Sequence, residues 1–262
     1  MNNFNPHTKP LGHKSYGSIG HLPGSRMDVR HAQYGTGKVA GKDFGVSTGQ
    51  ARICTEKTRD RHDVIIVQEK LDGSNVAVAN IDGQLVALTR AGRLAQASQF
   101  EHHQLFAYWL RENEMMFSEL PPGCRLCGEW LAMAHGTRYN LNGREPFVAF
   151  DLMRGSERAC YAEFSSAAGR MLRKMEWVSM GPNPVSVDAA MKMVAASAYG
   201  AVEPVEGAVW RVERKGKVDF LAKYVRPDKV DGCYLPEVAG KPAIWNWHPD
   251  RSKCWWNDKE NA

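Results

Sequence analysis

Lys70 closes the apolar run "VIIVQEK" and stands two residues ahead of Asp72-Gly73 in "QEKLDGSNVAVA". An Asp-Gly pair is ordinary in a hairpin, because both residues tolerate the positive φ angles of tight turns. A hairpin has no need of the lysine. A lysine amine is a nucleophile only when neutral, and desolvation beside positive charge or metal lowers its pKa enough to make it so. The stretch therefore carries the residue types of a covalent catalytic lysine, placed at a strand end by a turn.

Lys-x-Asp-Gly alone recurs by chance in about one chain in twenty of this length. Its weight comes from the ordered series downstream: "CGEW" with Glu129, "FVAFDL" with Phe150, "EGAVWR" with Glu206 and Arg211, and "FLAKY" with Lys223. Each falls in an apparent strand. Taken singly, Phe150 reads as core, the two glutamates as strand-end carboxylates, and Lys223 as a lysine whose apolar strand demands a partner.

The elements that must position these residues begin at residue 64. "VIIVQE" reads as a strand, "NVAVANIDGQLVALTR" as two strands about an Asp-Gly turn, and "CRLCGEWLAMA" and "PFVAFDLM" as further strands. Apolar spacing predicts a helix in "SQFEHHQLFAYWLRENEM" and helices over 162–177 and 186–198, the last with Ser186 and Asp188 near its start. "EGAVWRV" and "VDFLAKYV" form a hairpin about "ERKGK". Strands outnumber helices and short turns join many of them. The predicted fold is therefore α+β, with largely antiparallel sheets and helices packed on them, not a doubly wound one.

Residues 1–62, rich in Gly and His, read as an irregular basic extension, 63–230 as the domain, and 231–262 as a tail packed on it. That tail carries Trp245, Trp247, Trp255 and Trp256. Clustered tryptophans near a terminus pack on the domain more often than they stack on unpaired bases. Only 262 − 223 = 39 residues come after Lys223, too few for a separate C-terminal domain. The five histidines within 1–62 show no ligand spacing and read as loop residues.

Composition sets the outer bounds. The chain has 262 residues, 43% hydrophobic and 24% charged, which excludes wholesale disorder and allows a large core. Net charge is +5, yet residues 1–61 alone hold 10 basic and 4 acidic side chains, or +6, so the excess lies in the N-terminal quarter. Such a segment suits a polyanion, or is simply a solvated arm. Cys54, Cys124, Cys127, Cys160, Cys233 and Cys254 are scattered, and "MNNFNPHTKP" has no apolar signal core, which predicts reduced thiols in a cytoplasmic protein. Cys124 and Cys127 form a CxxC with no second pair, and read as buried structural thiols. No apolar run approaches the ~20 residues of a membrane helix.

The ordered segments from Glu69 to Arg226, about 160 residues, resemble motifs I, III, IIIa, IV and V of the covalent nucleotidyltransferases, the superfamily of ATP-dependent ligases and mRNA capping enzymes. The asparagine in "EKLDGSN" narrows the likeness to nick-sealing RNA ligases of the bacteriophage type, and Arg90 in "LTRAG" matches their motif Ia. The resemblance implies a nucleotidyltransferase domain of ATP-grasp-like build. It further implies that Lys70 attacks the α-phosphate of ATP, becomes lysyl-AMP, and passes AMP to an RNA 5′-phosphate that a 3′-hydroxyl then attacks.

The same resemblance distributes the other roles. Glu69, Asn75, Arg90, Glu129, Phe150, Glu206 and Arg211 would bind the nucleotide, with Asn75 on a phosphate or the leaving group, Arg90 on the ribose and Phe150 stacked on adenine. Glu129 and Glu206 would also hold Mg²⁺ or Mn²⁺, for which carboxylate oxygens are suited. Lys223, with Arg211, would neutralise phosphate charge, the main demand of phosphoryl transfer. Arg93 and Arg226 would contact nucleic acid. The implied partner is RNA with nicked or broken 5′-phosphate and 3′-hydroxyl ends, in a bacterial or phage-infected cell, with no membrane.

This chain departs from the pattern at motif V, where Val225 takes the place of a second lysine and Arg226 is next. Two other readings use the same residues. A DNA ligase or capping-type guanylyltransferase would share Lys70 and differ in acceptor or nucleotide. A non-catalytic RNA-binding module would be marked by loss of Lys70, Glu129 or Glu206, and all three are present.

Overall fold

In the computed structural model, residues 5, 8–27, 43–169 and 172–250 are described. Along the chain the strands are β1 (Gly20–His21), β2 (Asp63–Lys70), β3 (Ser74–Ile81), β4 (Gln84–Thr89), β5 (Cys124–Trp130), β6 (Phe147–Arg154), β7 (Glu157–Arg158), β8 (Trp177–Gly181), β9 (Gly207–Arg214) and β10 (Lys217–Val225). The helices are α1 (Thr48–Thr55), α2 (Glu101–Glu112), α3 (Tyr161–Ala168), α4 (Val187–Val194) and α5 (Pro236–Ala239). Contacts divide them into two units. One comprises Ser18–Leu71 and Met175–Asp231, the other Met1–Gly17, Asp72–Lys174 and Gly232–Ala262.

The Ser18–Leu71 and Met175–Asp231 unit is built on a five-stranded sheet ordered β1-β10-β9-β2-β8, antiparallel except where β1 runs parallel to β10. Period-2 alternation turns Ile65 and Val67 of β2, Ala208, Trp210 and Val212 of β9, and Ala222 of β10 into one core. Ala51 and Cys54 of α1 and Ala190 and Val194 of α4 cover it. Burying a side chain of this size contributes about 1.5–3 kcal/mol. The β9–β10 turn works because Lys215 and Gly216 both take positive φ, 50° and 74°. Ser47 closes a capping box with Gln50 at the start of α1.

The other unit holds a second five-stranded sheet, β4-β3-β5-β6-β7, antiparallel throughout. Asp82 and Gly83 turn β3 into β4 with φ of 51° and 86°. Helix α2 presents Phe106 and Trp109 to Trp130 of β5 and Phe147 of β6, at ring separations of 5.3–5.7 Å. Residues 245–247 of the tail lie along this unit. Trp245 bridges to Met133, Asn246 donates to Leu131 O at 2.8 Å, and the Trp247 ring meets Trp130 at 5.5 Å. Trp255 and Trp256 lie outside the described residues.

The expected α+β class with largely antiparallel sheets is what the chain adopts. Three local expectations change. The helix expected over 162–177 stops at Ala168, because Gly169 caps it at φ 62°, and Trp177 already belongs to β8. Helix α4 keeps its Ser186 cap but ends at Val194, four residues short of the expected 198. Residues 1–62 are not irregular throughout, since they contribute β1 and α1.

Candidate active site

In the Ser18–Leu71 and Met175–Asp231 unit, Lys70 is the last residue of the buried strand β2, opposite Gly207 in register. Its Nζ donates to Glu206 Oε2 at 2.6 Å and lies 3.5 Å from Leu71 O. The Lys70 side chain keeps 22% of its surface exposed and Glu206 keeps 9%. Lys223, two strands away on β10, pairs with Val209, which in turn pairs with Gln68. Its pKa lies below the ordinary lysine value, first because the amine is buried and next because of the charge on Lys70. Asp43 and Glu206 oppose that shift. Two lysines and a glutamate thus form one electrostatic cluster. A positive group beside Lys70 is what an amine nucleophile requires.

The remaining expected residues of this unit point to partners of their own. Both Glu69 oxygens are engaged, by Ser197 Oγ at 2.6 Å and Ala198 N at 3.1 Å. Arg211 is 1% exposed and donates from Nε to Glu213 Oε1 at 2.8 Å. Arg226 donates to Val205 O at 2.9 Å and pairs with Asp228. Val225, in place of the motif V lysine, is buried. Two side chains that sequence reasoning passed over stand beside Lys223: His21, read as a loop residue but buried in β1, and Asp43.

In the other unit the residues after Lys70 are held stiffly. Asp72 N donates to Tyr139 Oη at 2.9 Å, and Asp72 Oδ2 accepts from Gly136 N at 2.9 Å. Gly73 N donates to Glu129 Oε1 at 3.0 Å. A Cβ at Gly73 would lie 2.5 Å from Trp130 O, so the glycine is required by the β5 backbone; its φ is not positive. Asn75 faces Glu129 in the β3–β5 register, and its buried Oδ1 has no hydrogen-bond partner among the described residues.

Phe150 is half-buried, with its ring 5.0 Å from Tyr16 in an edge contact. Tyr16 is itself fixed by a 3.0 Å hydrogen bond to Asp151 Oδ2, and Arg158 lies 5.0 Å above its ring. Arg90 and Arg93 are exposed on the β4 turn, where Arg90 Nη2 reaches Gly17 O at 3.4 Å. Tyr16 carries no motif and was not legible as a neighbour of Phe150.

Among the described residues no group of three or more His, Cys, Asp or Glu side chains gathers as a metal site. Glu206 and Glu129 each offer one carboxylate. Either one alone suits Mg²⁺, which keeps several waters and can be held by a single carboxylate plus substrate phosphates. Cys54, Cys124, Cys127, Cys160 and Cys233 are free thiols. No helix among the described residues is long and apolar enough to cross a membrane.

The family model for RNA ligases matches residues 63–225. Among solved structures, a mutant Naegleria gruberi RNA ligase with ATP and Mn is 17% identical at a TM-score of 0.48, covering 63% of this chain and 50% of that one. The Naegleria gruberi RNA ligase with PPi is 18% identical at a TM-score of 0.47, covering 69% and 53%. An archaeal ATP-dependent RNA ligase is 21% identical at a TM-score of 0.40, covering 62% and 42%. The chain thus spans about half the length of these structures. No curated protein matches significantly.

Proposed function

Because the family model spans 225 − 63 + 1 = 163 of 262 residues, the chain belongs to the RNA ligase family, and from that premise we propose that it is an ATP-dependent RNA ligase working through Lys70-AMP. The observation that carries this reading is the Lys70 amine, partly exposed at the end of β2, with Glu206 at 2.6 Å and Lys223 close enough to feel its charge. Lys70 Nζ bonds to the α-phosphorus, the bond to the bridging oxygen of pyrophosphate breaks, and pyrophosphate leaves. Before attack the amine gives up its proton, and Glu206 Oε2 is the base within reach. Lys223 then bears the charge that develops on the phosphate.

Glu206 or Glu129 would hold a divalent cation, which would neutralise triphosphate charge. Weakening of the Lys70–Glu206 pair, with the like charge of Lys223 nearby, favours the neutral amine. Asn75, with its unsatisfied Oδ1, the exposed Arg90 and the half-buried Phe150 are assigned to the nucleotide. Arg93 and Arg226 are assigned to RNA. The acceptor is an RNA 5′-phosphate at a nick or break with a 3′-hydroxyl, which makes RNA repair the setting.

The test is incubation of the pure protein with ATP or GTP and Mg²⁺, then denaturation and intact-mass analysis. An AMP adduct on Lys70, discharged by nicked RNA, is the expected result. A GMP adduct would shift the reading to a capping-type enzyme. No adduct from folded, AMP-free protein would leave an RNA-binding module.

Phe150→Ala is expected to weaken ATP binding by about 1–3 kcal/mol, the usual range for one base–aromatic stack. Titration calorimetry on the folded variant measures it. Unchanged affinity would assign Phe150 to packing against Tyr16 alone.

A further inference from the structure

Two side chains from outside the family-matched stretch converge on Lys223. Strand β1 runs parallel to β10 with His21 in register opposite Lys223, and Leu22 N donates to Lys223 O at 2.8 Å. On its other side, His21 N donates to Phe44 O at 2.7 Å and Val46 N donates to His21 O at 2.9 Å. A Cβ at Gly20 would fall 2.7 Å from Val46 Cγ1 and 3.0 Å from the Phe44 ring, so these two side chains pack against β1 at a glycine. These bonds hold the chain directly after Asp43.

Asp43 Oδ1 lies 3.5 Å from Lys223 Nζ and 3.3 Å from His21 Nε2. Ser25 Oγ accepts from Val225 N at 2.9 Å and stands 2.7 Å from His21 Nδ1. The Ser25 hydroxyl, which accepts the amide, has Arg26 O at 3.4 Å and His21 Nδ1 at 2.7 Å as acceptors for its own proton; donation over the shorter contact leaves the imidazole proton on Nε2, facing Asp43. Burial and the charge of Lys223 hold the His21 pKa below its ordinary value, so the ring is neutral. Asp43 therefore stands between His21 Nε2, 3.3 Å away and with no other hydrogen-bond partner among the described residues, and the Lys223 ammonium.

The arrangement answers a problem of burial. Lys223 keeps only 16% of its side chain exposed and shares its surroundings with Lys70. A flexible lysine carries much rotamer entropy, which a fixed anion removes before substrate arrives. At 3.5 Å the contact is at the long end of a hydrogen bond, so the ammonium is aimed without being locked away from a phosphate.

We propose that Asp43, held in place by His21, is a positioning residue for Lys223 in the adenylylation step, supplied by the segment that precedes the family-matched region. The proposal rests on the ligase reading above. It also gives part of the basic N-terminal segment a role at the site, distinct from binding a polyanion through net charge.

The test uses the full-length protein and the rate of lysyl-AMP formation across an ATP series, read by intact mass, with melting curves as the control for folding. Asp43→Asn keeps the shape and removes the charge. Its maximal rate is expected to fall about tenfold with the KM for ATP nearly unchanged, as befits a group acting on transition-state charge. Asp43→Glu is expected to restore part of that loss. In a Lys223→Met background, adding Asp43→Asn is expected to change nothing further, because the two act as one unit.

A wild-type rate in Asp43→Asn, or the same fractional loss in the Lys223→Met background, would overturn the proposal. Should Asp43→Asn fail to fold, His21→Gln replaces it: a loss of maximal rate that disappears in the Lys223→Met background supports the proposal, and a wild-type rate overturns it. Absence of any adduct on the wild-type protein would instead overturn the ligase reading itself.

Discussion

Lys70→Ala abolishes the covalent nucleotide adduct while leaving the protein folded: that is the expected result, and the loss should exceed about 10³-fold because no second nucleophile replaces a covalent catalyst. The folding half of the expectation rests on position. Lys70 ends β2, and the strand's buried apolar side chains are Ile65, Ile66 and Val67. Truncation removes a partly exposed side chain and one ion pair, and Glu206 still lies in the field of Lys223. Lys70→Arg sharpens the experiment. It keeps a cation for Glu206 but offers a guanidinium that stays protonated. Both variants should be silent by intact mass and melt near the wild type. A normal adduct on folded Lys70→Ala, or an adduct mapped to Lys223, would remove Lys70 from the role of nucleophile.

Locality decided which features were legible in the sequence. β2 announces itself through its apolar run, and the β9–β10 hairpin through two apolar stretches about the polar "ERKGK"; these elements carry Lys70, Arg211 and Lys223 in that order. Which face of β9 is covered is a tertiary matter. Arg211, an expected phosphate ligand, is buried against Glu213, a neighbour two residues along the same strand. The pairing was visible in spacing, but the burial was not. Apolar spacing continues past Gly169 and so predicts a longer helix than α3, which the positive φ of Gly169 ends.

His21 and Asp43 were beyond reach for a different reason. Their link to Lys223 depends on a parallel pairing between segments 223 − 21 = 202 residues apart, and nothing local in "SIGHLPG" marks a strand. Tyr16 is the same case, an aromatic in a Gly/Ser-rich stretch whose partner Phe150 is supplied by a distant strand. Long-range register, unlike turn chemistry or alternation, leaves almost no trace in one sequence.

Gly207→Ala is expected to be the most damaging single-methyl change in the Ser18–Leu71 and Met175–Asp231 unit. Gly207 opens β9, opposite Lys70 on one side and Val225 on the other. A Cβ there would sit 1.8 Å from Tyr224 O and 2.9 Å from Tyr224 C, both backbone atoms. A side chain could rotate away, but backbone cannot, so β9 and β10 must separate where Arg226 N also donates to Glu206 O at 3.1 Å. Overpacking of this kind costs about 1–3 kcal/mol and can exceed that when the obstacle is main chain. Chemical denaturation of the variant measures the cost as a lowered midpoint. The adduct rate, measured well below the melting temperature, should fall as well, because Glu206 precedes Gly207 and its carboxylate holds Lys70. A variant that unfolds with the wild type would mean that the two strands part freely at this point. A variant that is destabilised yet adenylylates normally would mean that the Lys70–Glu206 contact survives the displacement, and that the spacing of the strands serves the fold alone.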